Sequence, residues 1–402
     1  MLGEIYFDHA ATTPMDKDVS EIVFKYLSEY FGNPSSIHNF GQRIRTAVEN
    51  ARKQVANAIG AASVGEIAFC SGGTEANNMA LLGAARANHQ KGNHIITTAV
   101  EHHSVLTTCE RLTKEGFELT VLPVDKYGVV SVQDVVNAVT DKTILVSIMH
   151  ANNEIGSIMP IAEIGKALKE NKKDIIFHTD AVQSVGKLEV NVDKLGVDIL
   201  TISAHKIYGP MGVGIMYLRK GTWWQPIMYG GGQERRRRPG TENAPGIIGL
   251  GKAIELAVDN RKQYVEKLTV LRDKLVSDMF SKIPDVQLNG HPTNRLPGHV
   301  SVCIKYVEAE ALMLYLNMQG IAVSSGSACT SGSLEPSHVL AAIGVSPRDA
   351  NSAIRITLGK NNTEEEVERF VEALSDIVAK LRAMSPVTGS RCEACKAEEC
   401  KL

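Results

Sequence analysis

The chain has 402 residues, 44% of them apolar and 22% charged, and its 43 Lys and Arg nearly balance its 45 Asp and Glu. This composition is typical of a globular protein and excludes a disordered, collagenous or coiled-coil chain. The near-neutral charge gives no reason to expect nucleic acid or a membrane as a partner, and no run of about 18 apolar residues spans a bilayer. The N-terminus lacks signal-peptide features and the seven cysteines form no disulfide framework, so we expect a cytoplasmic protein.

Short apolar, β-branched runs alternate with helical patterns between about residues 65 and 220. The predicted strands are 67–70, 94–99, 144–150, 175–180, 198–203 and 213–218. The predicted helices among them are 75–87, 104–114 and 161–170. This alternation predicts an α/β fold with a mostly parallel sheet covered on both faces, and such sheets bind ligands at the carboxyl ends of their strands.

The pattern changes after a glycine-rich, basic stretch at residues 230–239. Apolar residues at helical spacing predict a long helix over 245–282. Farther on, strands at 300–304, 321–324 and 353–358 and helices at 308–318 and 363–384 predict a smaller α+β unit. We therefore predict a large domain over 31–260, a smaller domain over 261–386 that also packs against residues 1–30, and a flexible tail over 387–402.

An acid and an amine lie at the ends of two predicted strands. Asp180 ends one strand, and Lys206 follows the next by three residues. If these strands are neighbours, both side chains reach the same edge of the sheet. Such a pair suits pyridoxal phosphate, which needs a lysine for its Schiff base and a carboxylate at its pyridinium nitrogen. A surface ion pair without chemistry explains the spacing equally well.

A glycine-rich turn, Ser-Gly-Gly-Thr-Glu at residues 71–75, separates a predicted strand from a helix. Glycines allow close approach of the backbone to a ligand, and the start of a helix offers N–H groups to a phosphate. By itself the pattern is more typical of an ordinary turn. Ser203 and His205, next to Lys206, favour a phosphate site.

One thiol, Cys329, lies in a stretch of small polar residues at 324–333. Structural cysteines are normally buried among apolar neighbours, whereas a thiol on a Ser/Gly loop is exposed and able to react. We therefore interpret Cys329 as a reactive thiol, and a surface loop with an incidental cysteine is the alternative.

Arg355 is the single charge inside the predicted strand 353–358. A buried guanidinium requires an anionic partner, and its planar fork matches a carboxylate in a bidentate manner. An amino-acid substrate would provide that carboxylate. An internal salt bridge is an equal alternative.

The chain ends in a segment that contains Cys392, Cys395 and Cys400. Zinc or an iron–sulfur centre would need a fourth ligand from elsewhere, because three thiols do not complete a tetrahedral site. We therefore predict a tail without metal.

The basic run at residues 235–238 is interpreted as a solvated or interface-facing segment. Nucleic-acid sites have aromatic residues among their basic ones, and this run has none.

Taken together, these motifs closely resemble those of the cysteine desulfurases of the NifS/IscS type, which are fold-type-I pyridoxal-phosphate enzymes. The resemblance extends from residue 6 to about residue 386. The matching stretches are 6–13, 31–36, 71–75, 101–102, 152–154, 178–186, 205–206, 238–243, 324–337 and 354–358. The tail is not part of the family pattern.

The resemblance implies a cofactor site in which Lys206 carries pyridoxal phosphate and Asp180 contacts its pyridine nitrogen. Gln183 and Asn153 would lie at the phenolic oxygen, and His102 would stack on the ring and assist proton transfer. The residues implied to hold the phosphate are Gly73, Thr74, Ser203 and His205, together with Thr241 from a second subunit.

The resemblance also implies that Arg355 and Asn33 hold the carboxylate of L-cysteine, with Asn153 beside the substrate. Cys329 would accept its sulfur as a persulfide and pass it to an iron–sulfur scaffold or another sulfur-acceptor protein, leaving L-alanine. A homodimer without metal, nucleic-acid or membrane partners is expected. The alternatives are a selenocysteine lyase, an aminotransferase, which needs no thiol, and a non-catalytic scaffold, which would not need Lys206 and Asp180.

Overall fold

The computed structural model describes residues 3–171, 174–325 and 336–384. Cys329 and the three tail cysteines, for which functions were predicted, lie outside these residues. The described helices are α1 (Lys17–Ser28), α2 (Asn39–Ile59), α3 (Gly73–Asn88), α4 (His103–Thr113), α5 (Val132–Ala138), α6 (Ile161–Asn171), α7 (Val192–Leu195), α8 (Gln233–Arg236), α9 (Ala244–Asp259), α10 (Arg261–Lys282), α11 (Ala309–Met318), α12 (His338–Ala342), α13 (Pro347–Ala350) and α14 (Glu364–Met384). The described strands are β1 (Ile5–Tyr6), β2 (Ile67–Cys70), β3 (His94–Thr98), β4 (Glu118–Leu122), β5 (Thr143–Ser147), β6 (Ile176–Asp180), β7 (Ile199–Ser203), β8 (Gly214–Leu218), β9 (Val286–Leu288), β10 (His299–Ile304), β11 (Ile321–Ala322) and β12 (Ala353–Thr357).

The largest sheet of the described chain has seven strands in the order β2-β8-β7-β6-β5-β3-β4. Strands β3 to β7 pair in parallel, and β8 runs antiparallel to both of its neighbours. Every residue of β2, β3, β5, β6, β7 and β8 is buried. Helices that cover both faces cause this burial, and it explains why these strands are rich in apolar and β-branched residues without an alternating polar face. The predicted α/β fold with a mostly parallel sheet is confirmed.

One strand of this sheet, β4, was not predicted. It lies at the edge and pairs only with β3. Its first residue, Glu118, and its fourth, Val121, are exposed, so it lacks the continuous burial of the central strands. The apolar signal that marks the other strands is therefore weak here, because an edge strand is covered less completely.

A smaller sheet, β12-β10-β9, is antiparallel, and β1 pairs in parallel with β11 nearby. A second apolar core forms around this sheet from β1, α10, α11, α14 and the strands themselves, and it includes Phe7, Leu275, Ile356 and Phe370. This arrangement matches the predicted α+β unit. In the described ranges, none of the helices has the length and apolar character needed to cross a bilayer.

The first 30 residues contact both cores. Ile5 and Phe7 belong to the smaller core, whereas Val19 and Val23 of α1 belong to the core around the large sheet. The domain boundaries stay predictions.

The single long helix predicted over 245–282 is wrong, because the chain forms two helices separated at Asn260. The side-chain amide of Asn260 donates to the carbonyl oxygen of Leu256 and so closes the end of α9. Helix α9 buries Leu250 in the larger core, whereas α10 buries Leu275 in the smaller one. The break lets each helix face its own core, while helical spacing of apolar residues continues on both sides of it.

Candidate active site

A cavity of about 1010 Å³ opens at the carboxyl ends of β5, β6 and β7, beside the N-termini of α3 and α4. Ten of the predicted site residues line it: Gly73, Thr74, His102, Asn153, Asp180, Gln183, Ser203, His205, Lys206 and Arg355. The sheet explains this convergence, because parallel strands end at one edge and the residues that follow them meet there.

Asp180 is the last residue of β6 and is paired in register with Thr201 of the adjacent strand β7. Its side chain is buried, and each carboxylate oxygen accepts a hydrogen bond. The backbone N–H of Val182 donates to Oδ1 at 2.9 Å, and the Asn77 amide donates to Oδ2 at 2.7 Å. Two donors to the charged oxygens hold the carboxylate in one orientation towards the cavity.

Lys206 lies on a single 3₁₀ turn, Ala204–Lys206, that directly follows β7. Its Nζ donates to the carbonyl oxygens of Ala10 and Ala11, at 2.6 Å and 2.5 Å. These two carbonyls belong to the segment that follows β1, so the N-terminal chain forms one wall of the cavity. The amine is thereby held at a defined place on the cavity wall.

The N-terminus of α3 forms another part of the cavity wall. Among the described residues no side chain caps this helix, whose N-cap is Gly72 with a φ of 154°. A Cβ at Gly73 would lie 2.9 Å from Cγ2 of Val182 and 3.6 Å from Cβ of Ser203, so only glycine fits there without movement. The backbone N–H groups of the first helical turn, together with the hydroxyl groups of Thr74 and Ser203, form a donor set suited to an anionic group such as a phosphate.

His205 lines the same end of the cavity, where its Nδ1 lies 3.1 Å from the hydroxyl oxygen of Thr12. Burial, and the nearby charge of Lys206, lower the pKa of His205 to about 4. The imidazole is therefore neutral at neutral pH and offers a hydrogen bond without adding a charge.

Glu75, on the first turn of α3, connects this wall to the glycine-rich, basic stretch at residues 230–239, which we call the basic loop. One carboxylate oxygen accepts the backbone N–H of Ser71 at 2.7 Å, and the other accepts Nε of Arg238 at 2.8 Å. Hydrogen bonds from these donors lower the pKa of Glu75 despite its partial burial. This ion pair between Glu75 and Arg238 holds the basic loop against α3, and the basic loop leads on to Thr241.

His102 is the N-cap of α4 and lines the cavity with its ring. Its Nδ1 accepts the backbone N–H of Ser104 at 3.1 Å and lies 2.8 Å from the hydroxyl oxygen of the same residue. Burial lowers the pKa of His102. The carboxylate of Asp180 acts to raise this pKa, and the positive charge of Lys206 acts to lower it. The imidazole is therefore neutral at neutral pH.

Gln183 is buried and contacts both the cavity wall and a second lysine. Its Nε2 donates to the carbonyl oxygen of Ala10 at 3.0 Å, and its Oε1 accepts Nζ of Lys187 at 3.2 Å. Burial, together with the charges of Lys206 and Arg355, lowers the pKa of Lys187 to about 7. A carbonyl oxygen only accepts hydrogen bonds, so the contact with Ala10 fixes the NH₂ end of the Gln183 amide towards this wall of the cavity.

Arg355 lies in β12 with a buried guanidinium group that also lines the cavity. Its Nη2 pairs with Oδ1 of Asp8 at 2.9 Å, and its Nη1 donates to the carbonyl oxygen of Asn153 at 3.0 Å. The internal salt bridge considered from the sequence is therefore present. It lies at the cavity surface, where a substrate carboxylate would also reach the guanidinium.

Two predicted site residues lie away from the other ten. Asn33 and Thr241 are exposed and are not among the described residues that line the cavity. The side-chain oxygen of Asn33 instead accepts the backbone N–H of Ser35 at 2.9 Å. Their predicted contacts with substrate and cofactor therefore stay predictions.

Sequence reasoning missed buried polar residues that line the cavity, including Asn77 and Ser104. Asn77 lies one helical turn after Thr74 and so on the same face of α3, which was an available signal. Glu101 accepts hydrogen bonds from Thr98 and from the backbone of Met149, and burial raises its pKa to about 8. Because Glu101 is completely buried, its carboxyl group is protonated at neutral pH, next to His102 in the chain.

Comparison with known proteins places this geometry in a family. The model of the aminotransferase class-V family matches residues 5–370. The cysteine desulfurase IscS of Dictyoglomus turgidum is 55% identical over 96% of this chain and 97% of its own length. The cysteine desulfurase IscS of Methanosarcina thermophila is 52% identical over 96% of this chain and 94% of its own.

Solved structures agree with these relatives. A NifS-like protein is 39% identical with a TM-score of 0.88, covering 94% of this chain and 99% of its own. A structure titled SspA in complex with cysteine is 35% identical with a TM-score of 0.77, covering 88% of this chain and 98% of its own. The chain therefore belongs to the aminotransferase class-V family, among its cysteine desulfurases.

Proposed function

We propose that this protein is a pyridoxal-phosphate-dependent enzyme that converts L-cysteine to L-alanine and transfers the sulfur to an acceptor protein. The observation that carries the proposal is the convergence of Lys206, Asp180 and the uncapped N-terminus of α3 on one cavity. The amine, the carboxylate and the N–H groups match the aldehyde, the ring nitrogen and the phosphate of this cofactor. Full-length identity to cysteine desulfurases supports the choice of substrate.

The residues present fit the cofactor. Gly73, Thr74, Ser203 and His205 would hold the phosphate, where added side-chain volume at Gly73 would meet Val182. Asp180 would keep the ring nitrogen protonated, His102 would contact the ring face, and Gln183 and Asn153 would contact the phenolic oxygen. When bound, pyridoxal phosphate withdraws electrons from the α-carbon of an amino acid.

Two side chains of the cavity, Lys206 and Arg355, would act on the substrate. Lys206 would accept the α-proton of the substrate on its Nζ. The carbonyl groups of Ala10 and Ala11 hold this Nζ at a defined place on the cavity wall. Arg355 would bind the carboxylate of L-cysteine at the cavity surface, where its guanidinium lies beside Asp8. These contacts orient the α-carbon and the sulfur of the substrate.

Cys329 lies outside the described residues, and its role as nucleophile rests on the sequence. Its thiolate would attack the substrate sulfur, so that an S–S bond forms and the C–S bond breaks. The electron pair would pass to the substrate carbon, which takes up a proton and gives alanine. The persulfide would then pass its outer sulfur to an iron–sulfur scaffold or another acceptor thiol.

The described cysteines are poor candidates for this step. Cys70, Cys109 and Cys303 are free thiols and buried. Burial raises the pKa of Cys70 and of Cys109 to about 12 and that of Cys303 to about 11. They carry almost no thiolate at neutral pH. Buried thiols without a disulfide also suit the proposed cytoplasmic location.

A homodimer is proposed with Thr241 reaching the phosphate site of the partner subunit. Thr241 is exposed and lies outside its own cavity, as a donated residue requires. Several large apolar side chains in or near α1 and α2 are exposed, which is typical of a surface that meets another subunit. They are Phe24, Leu27, Phe31, Ile37 and Phe40.

Assays of sulfide and alanine test the activity. The protein loaded with pyridoxal phosphate is expected to release both from L-cysteine under a reductant, and Lys206→Ala is expected to release neither. Lys206→Ala should also lose the visible absorbance of the bound cofactor and its labelling by borohydride. Transamination without sulfide release, or labelling of a different lysine, would contradict the proposal.

Cys329→Ser tests the nucleophile, with Cys303→Ser as the matched control. The hydroxyl stays protonated and attacks sulfur poorly, so the variant is expected to bind cofactor and cysteine but form no persulfide. The control should retain turnover. Wild-type desulfuration by Cys329→Ser would show that the sulfur acceptor is elsewhere.

Mixed dimers test the composite site. Lys206→Ala and Thr241→Ala chains are each expected to be nearly inactive, and a mixture should recover part of the activity. Recovery requires heterodimers in which one site contains both native residues. A monomer in sedimentation that retains full activity would contradict this arrangement.

A further inference from the structure

Asn77 lines the cavity and forms a buried hydrogen-bonded network in its wall. The residue lies on α3, is 1% exposed, and contacts three different elements. Its Nδ2 donates to Oδ2 of Asp180 at 2.7 Å and to Oγ of Ser104 at 2.8 Å. Its Oδ1 accepts the hydroxyl of Thr201 on β7 at 2.6 Å. One amide thus joins a strand end, a helix start and a neighbouring strand.

The orientation of this amide follows from its partners. A carboxylate only accepts hydrogen bonds, so the NH₂ end of Asn77 must face Asp180. The oxygen end then faces Thr201, whose hydroxyl donates to it. Both hydrogens of the NH₂ group are used, and an aliphatic side chain at position 77 would leave Oδ2 of Asp180 without this donor.

The network continues from Ser104 to His102. The backbone N–H of Ser104 donates to Nδ1 of His102, so this nitrogen has a lone pair and no hydrogen. The Ser104 hydroxyl, which accepts from Asn77, donates its own hydrogen to the same Nδ1 at 2.8 Å. The neutral imidazole therefore carries its hydrogen on Nε2. Protonation of Nδ1 would break the bond from the backbone N–H and would force the Ser104 hydroxyl to turn and accept.

We propose that Asn77 is a positioning residue that couples the Asp180 carboxylate to the His102 imidazole through the Ser104 hydroxyl. Asp180 and His102 are the two side chains proposed above to contact the ring of the cofactor from different sides. A shared support keeps their relative placement constant, and errors of about 1 Å in such placement cost about 100-fold in rate. The catalytic consequence rests on the proposed function, whereas the hydrogen-bonded coupling does not.

Asn77→Ala is the test, with Asn88→Ala as the matched control. Asn88 is also a buried asparagine of α3, but its amide donates to the carbonyl oxygens of Ala84 and Trp223, away from the cavity. Both variants remove a buried amide from one helix, so their structural losses are comparable. Only Asn77→Ala removes a contact to Asp180 and Ser104.

The first measurement uses the protein without cofactor. Nitrogen NMR of ¹⁵N-histidine-labelled protein reports the tautomer of each imidazole, and His102→Gln identifies the signal of His102. The wild type and Asn88→Ala are expected to show His102 as the Nε2-protonated form. Asn77→Ala is expected to keep this tautomer but to shift the Nδ1 resonance of His102, because the Ser104 hydroxyl loses the donor that directs its own hydrogen to Nδ1. Identical His102 signals in the two alanine variants would overturn the coupling.

The second measurement uses the loaded enzyme. Asn77→Ala is expected to lower kcat for L-cysteine by about 10- to 100-fold with a much smaller change in KM, because Arg355 is untouched. Ser104→Ala should lower kcat less, because it leaves the hydrogen bond from Asn77 to Asp180 in place. Equal kcat in Asn77→Ala and Asn88→Ala would refute the positioning role.

These outcomes separate the two proposals. If the wild type binds no pyridoxal phosphate and turns over no cysteine, the proposed function fails, while the histidine spectra still decide on the network. If Asn77→Ala does not fold, Thr201→Val removes the donor to its oxygen and keeps the side-chain shape. That variant should shift the Nδ1 resonance of His102 in the same direction, and an unchanged His102 signal would refute the inference.

Discussion

Arg52 and Glu234 form a buried ion pair whose removal we expect to cause a large loss of stability. Nη1 and Nη2 of Arg52 donate to the two carboxylate oxygens of Glu234 at 2.7 Å and 2.8 Å, and the side chains are 5% and 3% exposed. The backbone N–H of Phe69 on β2 also donates to Glu234 at 2.8 Å. The pair therefore attaches the basic loop, in which Glu234 has a φ of 47°, to the edge of the large sheet.

Arg52→Met removes the guanidinium and leaves the Glu234 carboxylate buried without its main partner. Breaking a buried pair from one side costs about 3–5 kcal/mol, because an uncompensated charge stays in a low-dielectric environment. The free energy of unfolding, measured by urea titration with circular dichroism, is therefore expected to fall by that amount. The same titration of Arg52→Met/Glu234→Met should show a smaller loss than the sum of the single variants.

Lys142→Met provides the control for this prediction. Lys142 pairs with Glu118 at 3.2 Å, but the two side chains are 64% and 56% exposed. Solvent screens this pair, so its loss should be close to the measurement error. A loss below about 1 kcal/mol for Arg52→Met, or equal losses for Arg52→Met and Lys142→Met, would refute the argument from burial.

Four further predictions follow from the site and the core. Burial lowers the pKa of His150 to about 4 and that of His178 to about 3 from an ordinary 6.5, so the unfolded chain binds more protons and stability should fall as pH drops from about 6.5 to 4. Urea midpoints that do not change between pH 7 and 5 would contradict this. Gly73→Ala should weaken binding of pyridoxal phosphate to the apo-protein by about tenfold or more, because its Cβ would meet Val182 at 2.9 Å; unchanged affinity in a fluorescence titration would refute the close fit. Arg355→Lys should raise KM for L-cysteine by about tenfold, since one ammonium replaces a two-point contact, and a wild-type KM would remove Arg355 from substrate binding. Truncation after Pro386 should leave cysteine turnover near the wild-type value, because the family resemblance ends before the tail, whereas loss of turnover together with a bound metal would give the tail a function.

Much of the large sheet was predictable because its signals are local. A strand buried on both faces is rich in apolar and β-branched residues, so β5, β6 and β7 can be recognised from the sequence alone. The ends of such strands identify Asp180 and the segment before Lys206 without knowledge of the fold. The edge strand β4 escaped this reasoning because it is only partly covered.

The positions of the predicted side chains relative to one another required the tertiary structure. Residues that are distant in sequence form the site, as in the contact of Asn77 with Asp180, 103 positions apart. The break at Asn260 has the same origin, because two separate cores decide which way each helix faces.

The sequence by itself therefore determined the class of fold, the strand ends that carry the chemistry, and the residue types available there. Only the tertiary structure decided that Arg355 pairs with Asp8, that Asn77 joins Asp180 to Ser104, and which nitrogen of His102 accepts hydrogen bonds. The physical reason is that burial leaves a periodic record along the chain, whereas a hydrogen bond between distant residues depends on how strands and helices pack and leaves none.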